Sequence, residues 1–207
     1  MDVDEVWGHI HRERRALAAV LRTLDEEEWA TPSLCPGWTA KDVAAHVIGS
    51  AQMTWGPLLA ATVRGGFRFD RIALLDGQRR GRAPVAEILD LYERLDGSRV
   101  HPPVVTPLEP LVDVLVHTQD LLRPLGREHA MPVDAASVAA TRALRTGRFL
   151  GRPRLGHVRL VATDTDWVHG AGPEVRAPMQ EVLMICAGRP ADGTLLEGDG
   201  RELVRTA

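Results

Sequence analysis

Two segments of the chain carry side chains that could bind a divalent metal. Asp113 and His117 are four residues apart in one apolar segment, and His46 lies in another. On a helix, the four-residue spacing places Asp113 and His117 on one face, about one turn apart. A carboxylate and an imidazole so placed can bind one ion, much as two histidines do in zinc-binding helices. With His46 from a neighbouring helix, the site would have the three protein ligands that a catalytic zinc uses beside one open position.

The same residues also fit an interpretation without a metal. A histidine on an apolar helix face is often a hydrogen-bonded core residue, and Asp113 could pair with His117 in that way. The D-x-x-x-H pattern is not specific, so the spacing leaves both interpretations open. Asp120 lies three residues after His117 and is a rival candidate for the ligand set. We favour a supporting role for it, in which its carboxylate accepts an imidazole N–H and orients the ring.

The helix that would carry His46 has a well-marked beginning. Thr39 is a good N-cap residue and Asp42 stands three residues later, which forms a variant of the capping box with Asp in place of Glu. Cys35 lies just before this helix and could approach a metal, but we interpret it as a small buried residue of a structured loop. No residue is assigned as the catalytic acid, base or nucleophile.

The elements that must position these residues are mainly helical. Apolar residues recurring at three- and four-residue steps predict helices, which span 3–24, 40–62, 84–97, 108–125 and 134–148. The pattern over 67–82 leaves open a short helix or an ordered loop.

The character of the sequence changes near residue 151. Alternating residues and turn residues predict two or three short strands, followed by a helix over 179–187 and one or two more strands in the tail. We therefore predict a helical domain over 1–150 and a small α+β module over 151–207.

Composition and charge narrow the classes of partner. The chain has 207 residues with a net charge of −3, which argues against nucleic acid as an obligate partner. The sequence contains neither a polybasic segment nor a long apolar run, so it predicts no membrane contact. Cys35 and Cys186 are far apart with no CxxC pair, which favours free thiols and a cytoplasmic location. Lys41 is the only lysine among many arginines, a bias typical of GC-rich genomes such as those of actinobacteria.

Three stretches resemble a known family. The stretch SLCPGWTAKDVAAHVIGS at 33–50 is similar to the CPGW loop and capped D-V-x-x-H helix of the mycothiol-dependent maleylpyruvate isomerase family. The segment DVLVHTQDLLRPLG at 113–126 matches a second part of that family. The tail, with ATDTDWVHGAGPEVRAP at 162–178 and a later AGRP, resembles a C-terminal module of uncharacterised actinobacterial members.

The resemblance implies a fold and a ligand set. It implies the DinB-like up-down four-helix bundle, with a metal near one end and a small C-terminal α+β appendage. Carried over by position, the ligands are His46, Asp113 and His117. The acidic ligand of the family pattern is typically Glu, so Asp113 is one methylene shorter.

The resemblance also implies an activity. It favours a metal-dependent thiol enzyme, an isomerase or S-transferase that uses mycothiol on a small electrophilic substrate, with zinc as the divalent metal. A non-catalytic DinB-like metal-binding or stress-response module is the alternative, and hydrolysis by zinc-bound hydroxide is a third. Nickel, iron and manganese also suit three nitrogen and oxygen ligands. Both a monomer and a homodimer remain open.

Overall fold

The computed structural model describes residues 1–66, 69–147 and 155–204. The chain forms two compact units, Met1–His129 and Ala130–Ala207. The predicted domains 1–150 and 151–207 stay a prediction.

Helices dominate the described residues of the first unit. Their bounds are α1 (Val3–Leu21), α2 (Glu26–Ala30), α3 (Ala40–Gly49), α4 (Trp55–Arg64), α5 (Phe69–Arg80), α6 (Val85–Arg94) and α7 (Leu108–Leu122). The patterns over 3–24, 84–97 and 108–125 each correspond to one helix. The segment that the pattern over 67–82 left open contains α5.

The single helix predicted over 40–62 is wrong. The helix ends at Gly49, a 3-10 turn spans Ser50–Gln52, and α4 begins at Trp55. Pro57 gives the physical reason, because proline has no amide hydrogen and is tolerated in the first turn of a helix but not in its interior. Apolar periodicity continues across the break, so the periodicity alone does not reveal it.

The core of this unit is a four-helix bundle. Helix α7 packs against α1 and α3, and α6 packs against the same two helices. The apolar stripes of all four meet in the interior, where the fully buried side chains include Ile10, Leu17, Val43, Val47, Ile88, Leu111 and Leu115. Helix α5 covers α3 and α4. The mainly helical fold that the sequence predicts is confirmed.

The predicted capping box at the start of α3 is confirmed. The backbone N–H of Asp42 donates to Thr39 Oγ1 at 3.3 Å, and the N–H of Thr39 donates to Asp42 Oδ2 at 2.9 Å. Two N–H groups that the helix itself cannot satisfy thus find acceptors. This box fixes where the helix begins, and so fixes the position of His46 along it.

The second unit combines helices with a small sheet. Its described elements are α8 (Val133–Gly147), β1 (Arg159–Ala162), β2 (Val168–His169), β3 (Glu174–Ala177) and α9 (Met179–Cys186). In the described sheet the strand order is β2-β1-β3, with β1 antiparallel to β2 and parallel to β3. Helices α8 and α9 pack together.

The tail of the second unit differs from the prediction of further strands. Its described part forms 3-10 turns at Gly193–Leu195 and Arg201–Leu203. Glu197, in this tail, forms an isolated antiparallel β-bridge with Arg176. Among the described residues, no helix has the length and apolar character needed to span a bilayer.

Candidate metal centre

The packing of α3 against α7 brings the three predicted ligands together. His46 Nε2 lies 3.1 Å from Asp113 Oδ1, and His117 Nε2 lies 3.4 Å from the same oxygen. The two imidazole rings are 5.0 Å apart between centroids and nearly perpendicular, at 82°. Residues 67 positions apart in the sequence therefore present their donor atoms to one point.

These distances fit a divalent metal. One donor atom from each of the three residues lies within 4.8 Å of the others. Zinc–ligand bonds of about 2.0–2.1 Å in a tetrahedron separate neighbouring donor atoms by about 3.3 Å. The separations of 3.1 and 3.4 Å bracket that value. Two imidazoles and a carboxylate suit zinc, and also iron, nickel and manganese.

The site is covered on one side and open on another. The side chains of His46 and Asp113 are each 22% exposed, and that of His117 is 13% exposed. Trp38 is buried and packs on both imidazoles, with centroid distances of 4.8 Å to His46 and 5.7 Å to His117. The indole holds the rings in place, while the side chains of all three residues stay partly exposed.

Asp120 contacts the other nitrogen of the same imidazole. Its carboxylate is fully buried, and its Oδ2 lies 2.8 Å from His117 Nδ1. The Nε2 of His117 faces Asp113 instead. Asp120 therefore lies where a carboxylate that orients the ring would be, as in the usual arrangement around a metal-binding histidine.

Cys35 lies closer to the site than its place in the sequence suggests. It is buried, and its Sγ lies 3.1 Å from Asp120 Oδ2 and 3.5 Å from His117 Nδ1. The backbone explains this approach, because the N–H of Leu34 donates to the carbonyl of Asp120 at 2.9 Å. The CPGW loop is thus tied to α7.

Cys35, His117 and Asp120 form a second group that could hold a metal. The 2.8 Å between His117 Nδ1 and Asp120 Oδ2 is a hydrogen-bond length, and it is shorter than the spacing of two donors on zinc. The group of His46, Asp113 and His117 fits a metal better.

The electrostatics of the two groups are coupled through His117. Burial would raise the pKa of Asp113, but the neighbouring imidazoles of His46 and His117 outweigh it and hold that pKa below its usual range. Burial would lower the pKa of His117, but the charge of Asp113 and hydrogen bonds to Asp113, Asp120 and Cys35 raise it well above its usual range. The cluster without a metal therefore retains a proton, which a bound cation would displace.

Two residues near the site were not predicted from the sequence. Trp38 is a buried core residue that also contacts both histidines. Arg14 is buried on α1. The sequence does contain a signal for it, because Arg14 lies four residues after Ile10 and three before Leu17, on the apolar stripe of the helix.

The fold and the site define a helical-bundle protein with a candidate metal centre. A family model described as the mycothiol maleylpyruvate isomerase N-terminal domain matches residues 10–122. This match covers more than half of the chain, and the chain belongs to that family. The resemblance seen in the sequence is confirmed.

Solved structures agree with the family match at the level of the fold. The crystal structure of the mycothiol-dependent maleylpyruvate isomerase aligns with a TM-score of 0.66 and 15% identity, over 96% of this chain and 93% of that chain. A mutant of that isomerase aligns with a TM-score of 0.66 and 14% identity, over the same shares of both chains. No curated protein sequence matches the chain.

Proposed function

We propose that this protein is a metal-dependent thiol enzyme, an isomerase or S-transferase that uses mycothiol on a small electrophilic substrate. The observation that carries the proposal is the group of donor atoms from His46, Asp113 and His117, which lie within 4.8 Å of one another on partly exposed side chains. The separations of Asp113 Oδ1 from the two imidazole nitrogens, 3.1 and 3.4 Å, are those of neighbouring donors on a tetrahedral zinc ion. The family match supports mycothiol as the thiol. The choice between isomerisation and transfer depends on the electrophile.

Each residue of the site has its own role. A zinc ion held by His46, Asp113 and His117 would supply a Lewis acid that favours the thiolate form of a bound thiol. Asp120 keeps the Nε2 of His117 directed at the site through its contact with Nδ1. Trp38 packs on both imidazoles and excludes water from that side. The exposed edges of His46 and Asp113 leave room for the thiol and its electrophile.

The first test is the metal content of the full chain, measured by elemental mass spectrometry on untagged protein. We expect about one zinc per chain in the wild type and loss of that zinc in His117→Ala and Asp113→Ala. His169→Ala is a matched control, because His169 is exposed on β2 and should not affect the metal. Zinc retained at one per chain in the Asp113→Ala variant would contradict the ligand set.

The second test separates an enzyme from a metal-binding module. Mycothiol is titrated by calorimetry into zinc-loaded and zinc-free protein, and we expect binding that requires the metal. A zinc-loaded protein that does not bind mycothiol would favour the non-catalytic alternative. Maleylpyruvate is the first electrophile to assay with mycothiol present, since it is the substrate that names the family.

A further inference from the structure

Arg14 is a buried cation with unused hydrogen-bond donors. Its residue surface is 5% exposed, and its Nη2 donates to Ser50 Oγ at 3.0 Å. The Nε and Nη1 groups have no hydrogen-bond partner among the described residues. Since buried polar groups are nearly always paired, an arginine kept in this state needs an explanation.

Arg14 is attached to the helix that carries His46. Ser50, its hydrogen-bond partner, is the C-cap residue of α3, and the N–H of Ser50 donates to the carbonyl of His46. The hydroxyl of Ser50 also donates to the carbonyl of Val47 at 2.8 Å. The guanidinium is thus fixed against the last turn of α3, close to one of the proposed ligands.

The charge of Arg14 is not cancelled by a contacting acid. Within the described parts of the chain it forms no ion pair, and Asp113 is the carboxylate whose charge acts on it most. Burial lowers the pKa of Arg14 and Asp113 raises it, and an arginine keeps its proton in proteins. Tyr92 supplies no anion, because burial raises the pKa of its hydroxyl, which donates to the carbonyl of Ala44 at 2.9 Å.

The charges near the centre therefore sum to an excess of positive charge. A divalent ion on two neutral imidazoles and the carboxylate of Asp113 carries one net positive charge, which the buried carboxylate of Asp120 beside His117 offsets. Arg14 adds one positive charge from a buried position, so the sum stays positive by that one charge. Charges interact more strongly in a protein interior than in water. The positive charge of Arg14 therefore strengthens the binding of an anionic fourth ligand, whereas it does not strengthen the binding of a neutral one.

We propose that Arg14 is a positioning residue that gives the metal centre its preference for monoanionic ligands, thiolates and carboxylates, over neutral ones. This inference rests on the proposed function, because it needs a metal at His46, Asp113 and His117. It assigns no contact between Arg14 and the ligand. The guanidinium acts through space, from a place fixed by Ser50.

The test uses cobalt(II)-loaded full-length protein, whose visible absorption reports ligand exchange. Azide is the anionic probe and imidazole the neutral probe. We expect Arg14→Met to weaken azide binding about tenfold, which is about 1.4 kcal/mol, while imidazole binding changes less than about twofold. Arg14→Lys keeps the charge and should stay within about threefold of the wild type for azide. Arg15→Met is the control, because Arg15 is exposed and paired with Asp96.

The outcomes separate this inference from the function on which it rests. A wild-type chain that does not bind cobalt contradicts the metal centre itself. A cobalt site with unchanged azide affinity in Arg14→Met overturns the inference alone. Equal losses of azide and imidazole affinity would indicate a merely structural role and also overturn it. If Arg14→Met does not fold, Arg14→Gln, which can keep a hydrogen bond to Ser50, decides by the same comparison.

Discussion

Asp120 and His117 form a pair in which the carboxylate contacts one ring nitrogen and leaves the other directed at the site. The separation of Asp120 Oδ2 and His117 Nδ1 is 2.8 Å, and Asp120 is fully buried. A buried carboxylate at Nδ1 favours the tautomer that carries its proton there, so that Nε2 keeps a lone pair for a metal. This relationship fixes the orientation of the imidazole, as the proposed metal site requires.

Replacing Asp120 with Asn should weaken the metal site without removing a ligand. An amide is uncharged and a poorer acceptor, so we expect zinc affinity to fall about 10- to 100-fold, the usual cost of losing such a partner. Competition with a chromophoric chelator measures the affinity. Asp90→Asn is the control, because Asp90 pairs with Arg94 on the exposed face of α6. Equal zinc affinity in Asp120→Asn and the wild type would show that Asp120 does not orient His117 for the metal.

Cys35 should not be a metal ligand. Its Sγ contacts Asp120 and the Nδ1 of His117. The proposed donor of His117 is the other ring nitrogen, Nε2, which faces Asp113. We expect Cys35→Ser to keep one zinc per chain, and the cobalt form of the wild type to lack a cobalt–sulfur absorption band before any thiol is added. A strong band that disappears in Cys35→Ser would instead place the metal in the group of Cys35, His117 and Asp120.

The fold followed from local patterns wherever one signal dominated. Periodic apolar residues predicted α1, α6 and α7, and the side-chain chemistry of Thr39 and Asp42 predicted the start of α3. The pattern failed at Pro57, where the missing amide hydrogen forces a new helix although the apolar periodicity continues. Propensity and periodicity describe one element at a time. They do not show whether a continuous apolar pattern forms one helix or two.

The site was predictable only in part, for a different reason. Spacing placed Asp113 and His117 on one face of a helix, and His46 was added as a histidine in another apolar helix. The family resemblance then implied the same three ligands. The approach of Cys35 to Asp120 depends on a backbone hydrogen bond between Leu34 and α7, and no local pattern encodes it. Metal ligation itself stays a prediction, since the distances among the donors also suit hydrogen bonds.

Gly77 should be essential to the geometry of the site although it does not belong to it. A Cβ at this position of α5 would overlap the indole of Trp38, which packs on His46 and His117. We expect Gly77→Ala to destabilise the protein by about 1–3 kcal/mol, as overpacking does, and to weaken zinc binding. Thermal unfolding and chelator competition measure the two effects.

Gly56 provides the matched control for Gly77. It also lies in a helix, α4, but a Cβ there would meet no atom within 4 Å. Gly56→Ala should therefore leave zinc affinity unchanged. A Gly77→Ala variant that binds zinc as tightly as Gly56→Ala does would show that Trp38 does not hold the imidazoles in place.

The stability of the protein should depend on pH differently with and without zinc. Without metal, the raised pKa of His117 gives a stabilisation that is complete below about pH 6.5 and is lost as pH rises through the folded-state pKa. Asp113, with its lowered pKa, contributes above about pH 4 and loses its contribution only at more acid pH.

Thermal unfolding between pH 6 and pH 9 tests this difference. We expect the Tm of chelator-treated protein to fall as pH rises, by about 2–4 °C for each 1 kcal/mol in a chain of this size. Zinc-loaded protein should gain stability relative to the metal-free form over the same range, because zinc binds the deprotonated imidazoles. His117→Ala should flatten the slope of the metal-free protein and abolish the gain from zinc. A common slope for both forms of the wild type would mean that His117 neither holds the extra proton nor exchanges it for a metal.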